Sequence, residues 1–202
     1  MRRPRVAAAA PGRNPKDSIL PPALPDDVLA AAQAGDPDAF SRIYAALAPG
    51  VSGYLRARGM EDAEACVQEV FLTVFSRIGT VRGGYQGLRT FTFSVAHARY
   101  VDDVRRRARH PGFAEYDPDG DSRTTGSAED AALGSLAATE VGRQLQSLNP
   151  EQREVLLLRI VADLSLEQVA GIMGKSTGSV KQLQRRGLLK LKTLIERKEA
   201  LV

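Results

Sequence analysis

Several residue types are scarce in this chain of 202 residues, and each scarcity excludes a class of protein. The single cysteine, Cys66, cannot form an intrachain disulfide, which excludes a disulfide-stabilised secreted scaffold and fits a reducing compartment. Tryptophan is absent and aromatic residues make up 5% of the chain, so the core must be mainly aliphatic. No run approaches the ~20 apolar residues of a membrane span, and the N-terminal apolar run is too short for a signal peptide. We therefore expect a cytoplasmic protein.

Catalytic and metal-binding signatures are also missing from the sequence. The two histidines, His97 and His110, do not stand in a metal-ligand spacing. The glycine-rich stretch RGGYQG lacks the lysine and the helix context of a phosphate-binding loop. We predict that the protein is not an enzyme and holds no cofactor and no metal.

The abundant residue types favour helices, and changes in composition along the chain divide it into four parts. Ala, Leu, Glu, Arg and Gln dominate, while period-two runs of β-branched residues are scarce, which indicates an all-α fold. Residues 1–25 hold six of the eleven prolines and are predicted to be a disordered basic tail. Helical patterns fill residues 26–110 and residues 140–202, and the acidic segment 111–139 between them is predicted to be a flexible linker. The sequence therefore predicts two small helical domains.

Capping residues and prolines predict several helix ends. Asp36 followed by Pro37, and Asn149 followed by Pro150, are typical of a capping residue and the first helical position. Pro49 is expected to break or restart the helix that begins after Asp36.

The stretch LEQVAGIMGKSTGSVKQLQRRG has the pattern of a helix-turn-helix. Ala170 supplies the small residue, Gly174 the turn and Val180 the buried aliphatic residue that two closely crossing helices need. Three further apolar residues complete the inner face: Leu166, Val169 and Leu183.

The second helix of this motif is basic on its outer side. Residues 175–192 include six basic residues and no acidic residue. Glutamine can read adenine and arginine can read guanine in the major groove, whereas lysine mostly contacts phosphate. We predict DNA contacts from the outer residues, which are Lys181, Gln182, Arg185 and Arg186. A two-helix hairpin with a solvated basic face is the alternative.

Residues 60–76 predict a helix with two contrasting faces. At about 100° per residue, one stripe is apolar and should be buried. It consists of Ala63, Val67, Val70, Phe71 and Val74. The second stripe mixes acidic and apolar side chains and fits a docking surface for a basic, partly apolar partner helix. It consists of Glu61, Glu64, Gln68, Leu72 and Phe75. Alternatively, Leu72 and Phe75 pack on a neighbouring helix of the same domain.

A cluster of arginines ends the next predicted helix. Its members are Arg99, Arg105, Arg106, Arg107 and Arg109. Aromatic residues precede the cluster, and aromatic side chains beside arginine suit unstacked bases and backbone phosphate. The alternative is a helix C-terminus with cations that the helix dipole favours, although five arginines exceed what that requires.

Together these segments resemble a bacterial sigma factor of the extracytoplasmic-function (ECF) group. The resemblance covers about residues 27–109 and 140–195. Four blocks occur in the family's order: GDPDAF, AEACVQEVFLTVF, FTFSVAHARYVDDVRRRAR, and LNPEQREVLLLR with the helix-turn-helix. The chain departs from the family's usual residues at five positions, which are Ala65, Phe75, Phe91, Ala98 and Leu183.

The resemblance implies a transcription initiation factor that binds the RNA polymerase core and directs promoter-specific initiation. Residues 26–110 would form region 2, which binds polymerase and recognises and melts the −10 promoter element. Residues 140–202 would form region 4, which reads the −35 element. An anti-sigma factor is the expected regulator, and it would compete for the polymerase-binding face.

Three sets of site residues follow from this resemblance. The polymerase-binding set is Glu61, Glu64, Gln68, Glu69, Leu72 and Phe75. The −10 set is Arg82, Tyr85, Phe91, Arg99, Arg105, Arg106 and Arg109. The −35 set is Thr177, Ser179, Lys181, Gln182, Arg185 and Arg186. The alternative function is a stand-alone dimeric regulator that binds palindromic DNA without polymerase.

Overall fold

The computed structural model describes residues 24–109 and 140–199, and all regular structure within these ranges is helical. The first range contains α1 (Asp26–Gln33), α2 (Pro37–Ala57), α3 (Ala63–Ser76), a short 3-10 turn (Ile78–Thr80) and α4 (Gly84–Arg109). The second contains α5 (Glu140–Gln146), α6 (Pro150–Ile160), α7 (Leu166–Met173) and α8 (Thr177–Glu199). The predicted all-α fold is confirmed. The predicted linker 111–139 and the predicted tail up to residue 23 lie outside the described residues.

Two helix starts follow the predicted capping pattern. Asp36 precedes α2, and its side chain accepts a hydrogen bond from the backbone N–H of Asp38 at 3.0 Å. Asn149 precedes α6, and its side chain accepts from the backbone N–H of Gln152 at 2.8 Å. Each cap satisfies a donor that the first turn of a helix leaves unpaired.

The expected break at Pro49 is wrong, because α2 runs through this residue without interruption. A proline inside a helix removes one backbone donor, and here the carbonyl that loses its partner belongs to Ala45. Ala45 is exposed, so water can replace the missing hydrogen bond. The residues on both sides of Pro49 are buried, and this burial favours continuation of the helix.

Helices α1 to α4 surround an apolar core to which α3 contributes the predicted stripe. All five residues of that stripe are at most 5% exposed. At the centre, Tyr54 of α2 packs edge-on against Phe93 of α4, with ring centroids 5.9 Å apart. The periodicity of the sequence therefore correctly predicts the side of α3 that faces the core.

Helices α7 and α8 form the predicted helix-turn-helix. Gly174 ends α7 at φ 61° and ψ 34°, a left-handed conformation that glycine adopts without steric cost. Ala170 and Val180 are buried where the two helices meet. The Ser176 hydroxyl accepts a hydrogen bond from the backbone N–H of Ser179 at 3.2 Å and thereby caps α8. The glycine turn and the serine cap therefore join α7 and α8 in the predicted order.

Helix α8 also packs closely on α6. A side chain at Gly187 would place its Cβ 3.1 Å from a methyl carbon of Leu156, so the absence of a side chain permits this approach. No helix in the described ranges is long and apolar enough to cross a membrane.

Candidate protein-binding and nucleic-acid surfaces

The outer face of α3 combines acidic groups with one strongly exposed leucine. Leu72 is 72% exposed, and Glu64, Gln68 and Glu69 are exposed beside it. Asp62 caps the helix by accepting a hydrogen bond from the backbone N–H of Ala65 at 2.9 Å. The structure therefore presents an apolar side chain within an acidic surface, a combination that suits a basic partner with an apolar contact residue.

Phe75, predicted for the same surface, is half-buried and packs against the core. Its ring packs edge-on against Phe40 with centroids 5.0 Å apart and lies 5.5 Å from Phe71. The two interpretations of the second stripe thus apply to different residues. Packing within the domain describes Phe75, whereas Leu72 remains exposed on the surface.

The arginine cluster near the end of α4 is anchored to acidic residues. Asp103 is buried, and it forms ion pairs with Arg106 at 2.5 Å and Arg107 at 2.7 Å. Arg107 also lies 3.0 Å from Glu61 at the start of the α3 surface. The cluster and the α3 surface, which the sequence suggested as separate sites, therefore adjoin each other.

Arg99 makes a second connection between these surfaces. Its guanidinium lies 3.4 Å from a carboxylate oxygen of Glu69 and donates to the hydroxyl of Thr73 at 3.2 Å. Arg105, at 3.8 Å from Asp102, remains largely exposed. Exposed ion pairs contribute only about 0–1 kcal/mol each, so phosphate groups can displace these acidic partners.

The loop before α4 is held in a tight conformation. A Cβ atom at Gly87 would lie 1.7 Å from the carbonyl oxygen of Arg82, so any side chain there would force the backbone to move. Arg82 folds back and donates to the carbonyl oxygens of Gly79 at 2.8 Å and Val81 at 2.9 Å. Gln33 of α1 donates to the same Val81 carbonyl at 2.9 Å and fastens the loop to the bundle.

Tyr85 and Phe91, both assigned to −10 recognition, lie in different environments. Tyr85 is 5% exposed, and its burial raises the pKa of its hydroxyl, so it contributes to the core and not to the surface. Phe91 is half-buried and lines a cavity of about 570 Å³ between α4 and α7. Other residues on the cavity wall are Thr80, Arg82, Thr90, Gln168 and Ile172.

The outer side of α8 carries the residues predicted to read DNA. Thr177, Lys181, Gln182, Arg185 and Arg186 are exposed, and Ser179 is half-buried. Positions 181 and 185, and positions 182 and 186, are one helical turn apart and lie on neighbouring strips of the helix surface. Three cations and an amide thus occupy the side of the helix that a DNA groove can reach.

A buried polar cluster between the two halves was not anticipated from the sequence. Glu154 of α6 is 2% exposed, and one of its carboxylate oxygens accepts a hydrogen bond from the Tyr54 hydroxyl at 2.5 Å. The same oxygen lies 2.9 Å from Nδ1 of His97, and the other lies 2.9 Å from the guanidinium of Arg58. Burial raises the pKa of Glu154, but the hydrogen bond with His97 and the charge of Arg58 outweigh it, and the net pKa lies below the usual range.

The sequence contains one indirect signal for this cluster. Glu154 directly precedes the four apolar residues 155–158, all of which are buried. A carboxylate at the edge of such a run predicts a buried charge, but not the residues that pair with it. Within the described ranges, no three His, Cys, Asp or Glu side chains are grouped so that they could hold a metal ion.

Comparisons with known proteins identify the family. The family described as sigma-70, region 4, matches residues 144–193. The ECF RNA polymerase sigma factor SigD of Mycobacterium tuberculosis is 32% identical over 175 residues, which cover 83% of this chain and 82% of SigD. The ECF RNA polymerase sigma factor BldN of Streptomyces coelicolor is 33% identical over 175 residues, which cover 84% of this chain and 65% of BldN.

The fold has a counterpart among solved structures. The sigma factor RpoE of Bartonella quintana, solved in complex with the anti-sigma factor NepR, superposes with a TM-score of 0.60 at 21% identity. The match covers 78% of this chain and 96% of that one, and it supports the helical architecture. The identity to SigD, with the region 4 match over the helix-turn-helix, confirms the predicted family: this chain belongs to the ECF RNA polymerase sigma factors and is a transcription initiation factor.

Proposed function

We propose that this sigma factor binds the RNA polymerase core through the outer face of α3, opens a −10 element with α4, and reads a −35 element with α8. The observation that carries the proposal is that one chain exposes two chemically different surfaces. One is the acidic face around Leu72, and the other is the cationic side of α8. In this proposal region 2 spans residues 26–110 and region 4 spans residues 140–202, with the linker 111–139 between them and the tail 1–25 before them.

The α3 surface supports the polymerase-binding role. An exposed leucine gains free energy when a partner covers it, and the surrounding carboxylates select a partner with basic side chains. The residues assigned to this contact are Glu61, Glu64, Gln68, Glu69 and Leu72. Phe75 supports the surface from beneath through its contacts with Phe40 and Phe71.

The surface of α4 supports the −10 role. Exposed arginines attract the phosphate backbone, and the half-buried Phe91 beside the loop offers a ring on which an unstacked base can lie. The residues assigned to this contact are Arg82, Phe91, Arg99, Arg105, Arg106 and Arg109. Tyr85 shapes the loop from within the core.

The outer side of α8 supports the −35 role. A helix held by a turn at its N-terminus can insert that end into the major groove, where arginine and glutamine distinguish bases. The residues assigned to this contact are Thr177, Ser179, Lys181, Gln182, Arg185 and Arg186. These functions place the protein in the cytoplasm, together with polymerase and the promoter.

An anti-sigma protein is the proposed regulator. A protein that covers Leu72 and its acidic neighbours would block the polymerase contact without disturbing the core beneath it. The related fold of RpoE was solved with such a partner, the anti-sigma factor NepR, which supports this part of the proposal.

In vitro transcription with purified core polymerase over a randomised promoter library tests the function. We expect transcripts from templates that share two separated sequence elements. In an Arg185→Ala variant, the discrimination at the upstream base pair that Arg185 reads should fall by about 1–3 kcal/mol. Its affinity for core polymerase should be unchanged. Absence of promoter-specific transcripts, with tight binding of a palindromic operator by the chain alone, would instead support the stand-alone regulator.

A further inference from the structure

One buried carboxylate lies beneath the arginine cluster of α4. Only 8% of the side chain of Asp103 is exposed, and its two carboxylate oxygens contact two different arginines. Oδ1 lies 2.5 Å from a terminal nitrogen of Arg106, and Oδ2 lies 2.7 Å from a terminal nitrogen of Arg107. A buried charge costs free energy unless it is paired, and one arginine is enough to neutralise one carboxylate. Asp103 therefore does more than balance a single charge.

The local geometry of the helix brings these three side chains together. Residues three and four positions after Asp103 lie on the same strip of the helix surface, so Arg106 and Arg107 both reach its carboxylate. An acidic residue that precedes its basic partner is also the more favourable order along a helix. These two contacts need no distant residue, so they belong to α4 itself.

The two arginines have different surroundings. Arg107 also lies 3.0 Å from Glu61, just before α3, so acidic residues contact both of its terminal nitrogens. The side chain of Arg106 is 72% exposed, and one of its three guanidinium nitrogens contacts Asp103. Its other two nitrogens can donate to a bound group. Arg107 therefore braces the carboxylate, whereas Arg106 is held at the surface.

Charge balance distinguishes Arg106 from the other exposed arginines. The network of these four residues contains two acids and two arginines, so it is neutral as a whole. It adds little long-range attraction for DNA and instead fixes the direction of one guanidinium group. Arg105 lies 3.8 Å from Asp102, and both of these side chains are at least 70% exposed, so this contact constrains Arg105 only weakly.

A guanidinium group with a fixed direction suits the proposed −10 contact. A free surface arginine has many rotamers, and a ligand that immobilises it loses part of the binding free energy as side-chain entropy. Asp103 restricts Arg106 before DNA arrives, so less entropy is lost on binding. The planar guanidinium group then presents its remaining donors to a phosphate group in one direction.

We propose that Asp103 is a positioning residue, which holds Arg106 in place for a phosphate group of the −10 DNA and is itself braced by Arg107. Masking is the competing effect and has the opposite sign, because the negative charge of Asp103 repels phosphate and would weaken DNA binding. The positioning role rests on the proposed function of α4. The hold on Arg106 is a property of the free chain and can be measured without DNA.

Modification by phenylglyoxal, mapped by mass spectrometry, tests the hold on Arg106 in the free chain. Asp103→Asn keeps the size of the side chain and removes its charge, so Arg106 should react about three times faster than in the wild type. The matched control is Asp102→Asn, which removes an exposed neighbouring charge and should leave the reaction rate of Arg106 unchanged. Far-UV circular dichroism should show wild-type helicity in both variants.

Binding of promoter DNA by the reconstituted holoenzyme tests the use of Arg106. The probe is a fluorescent duplex that carries the two elements selected in the transcription experiment, and anisotropy gives its dissociation constant. Asp103→Asn should weaken binding about fivefold, a loss of about 1 kcal/mol, whereas Asp102→Asn should bind at least as tightly as the wild type. In an Arg106→Gln background, Asp103→Asn should have no further effect, because it acts through that side chain.

A lysine substitution provides a test that leaves the buried carboxylate in place. Arg106→Lys keeps the charge at an exposed position but loses the planar guanidinium group, so it should also weaken DNA binding about fivefold. Arg105→Lys, at similar exposure, should bind within about twofold of the wild type, because Arg105 has no buried anchor.

Three results would overturn the positioning role. The first is an unchanged reaction rate of Arg106 in Asp103→Asn, and the second is DNA binding by this variant that equals or exceeds that of the wild type. The third is a loss of affinity that persists in the Arg106→Gln background or, if Asp103→Asn does not fold, wild-type affinity of Arg106→Lys. If the wild-type holoenzyme binds no template while Arg106 reacts faster in Asp103→Asn, the proposed function of α4 fails together with the positioning role, and only the hold on Arg106 stands.

Discussion

Replacing Leu72 with arginine should separate polymerase binding from the stability of the fold. Leu72 is 72% exposed, so the substitution should change the free energy of unfolding by no more than about 0.5 kcal/mol. Complete burial of a leucine contributes about 1.5–3 kcal/mol, and a partner that covers the exposed part should gain about 1–2 kcal/mol. Arginine loses this gain and adds the cost of covering a charge, so we expect core polymerase to bind at least about 30-fold more weakly, a loss of about 2 kcal/mol.

Titration of labelled protein with core polymerase, monitored by fluorescence anisotropy, gives the dissociation constant. A urea titration monitored by circular dichroism gives the free energy of unfolding. The control is Leu189→Arg, the same substitution at a leucine of α8 that is 54% exposed. It should leave core binding within about threefold of the wild type, a change of about 0.7 kcal/mol or less.

An unchanged dissociation constant for Leu72→Arg at native stability would refute the assignment of the α3 surface. An equal loss of affinity in Leu189→Arg would show that the effect is not specific to α3. A large fall in the free energy of unfolding would contradict the exposure of Leu72 itself.

Three further predictions concern the core, the loop and the cysteine. Phe75→Ala should lower the free energy of unfolding in urea by about 3 kcal/mol, because Phe75 packs on Phe40, and a loss below about 1 kcal/mol would contradict this packing. Gly87→Ala should abolish promoter melting, measured by permanganate footprinting, because its Cβ would meet the Arg82 carbonyl and move the loop. The footprint of region 4 should be retained. Normal melting would show that the loop can relax. Burial raises the pKa of Cys66 to about 11, so alkylation by iodoacetamide should be slow at neutral pH and rise about tenfold per pH unit up to that value. The folded state should also lose stability as pH rises from about 9 toward 11, because the thiol of the unfolded chain ionises at lower pH than the buried thiol. Rapid alkylation of the native protein at pH 7 would contradict the burial of Cys66.

Local chemistry was predictable where a few neighbouring residues decide it. Asp36 and Asn149 cap their helices as the sequence indicated, because capping depends on a side chain and an amide two or three residues away. Gly174 and Val180 took their predicted places in the helix-turn-helix for the same reason. The break at Pro49 was not found, because burial on both sides of the proline outweighed the single lost hydrogen bond.

The candidate site was less predictable, since exposure depends on neighbours that are distant in the sequence. Periodicity put Leu72 and Phe75 on one stripe, but Phe40 of α2 covers only Phe75. Tyr85 is aromatic and lies in a glycine-rich stretch of the sequence, as a base-stacking residue would, yet it begins α4 and is buried in the core. Assignment of a side chain to a surface therefore required the packing of α2 and α4 around α3.

The sequence by itself determined the helical character of this protein, the ends of several helices, the helix-turn-helix and the family, because these depend on local patterns and on the order of motifs. Only the tertiary structure brought Glu154 to Tyr54, a residue 100 positions away, and enclosed its charge between the two halves. The pairing of a buried charge depends on groups from several helices, whose convergence no local pattern encodes. The same packing placed Gln168 of α7 against Thr90 of α4 and left Leu72 and the outer side of α8 exposed.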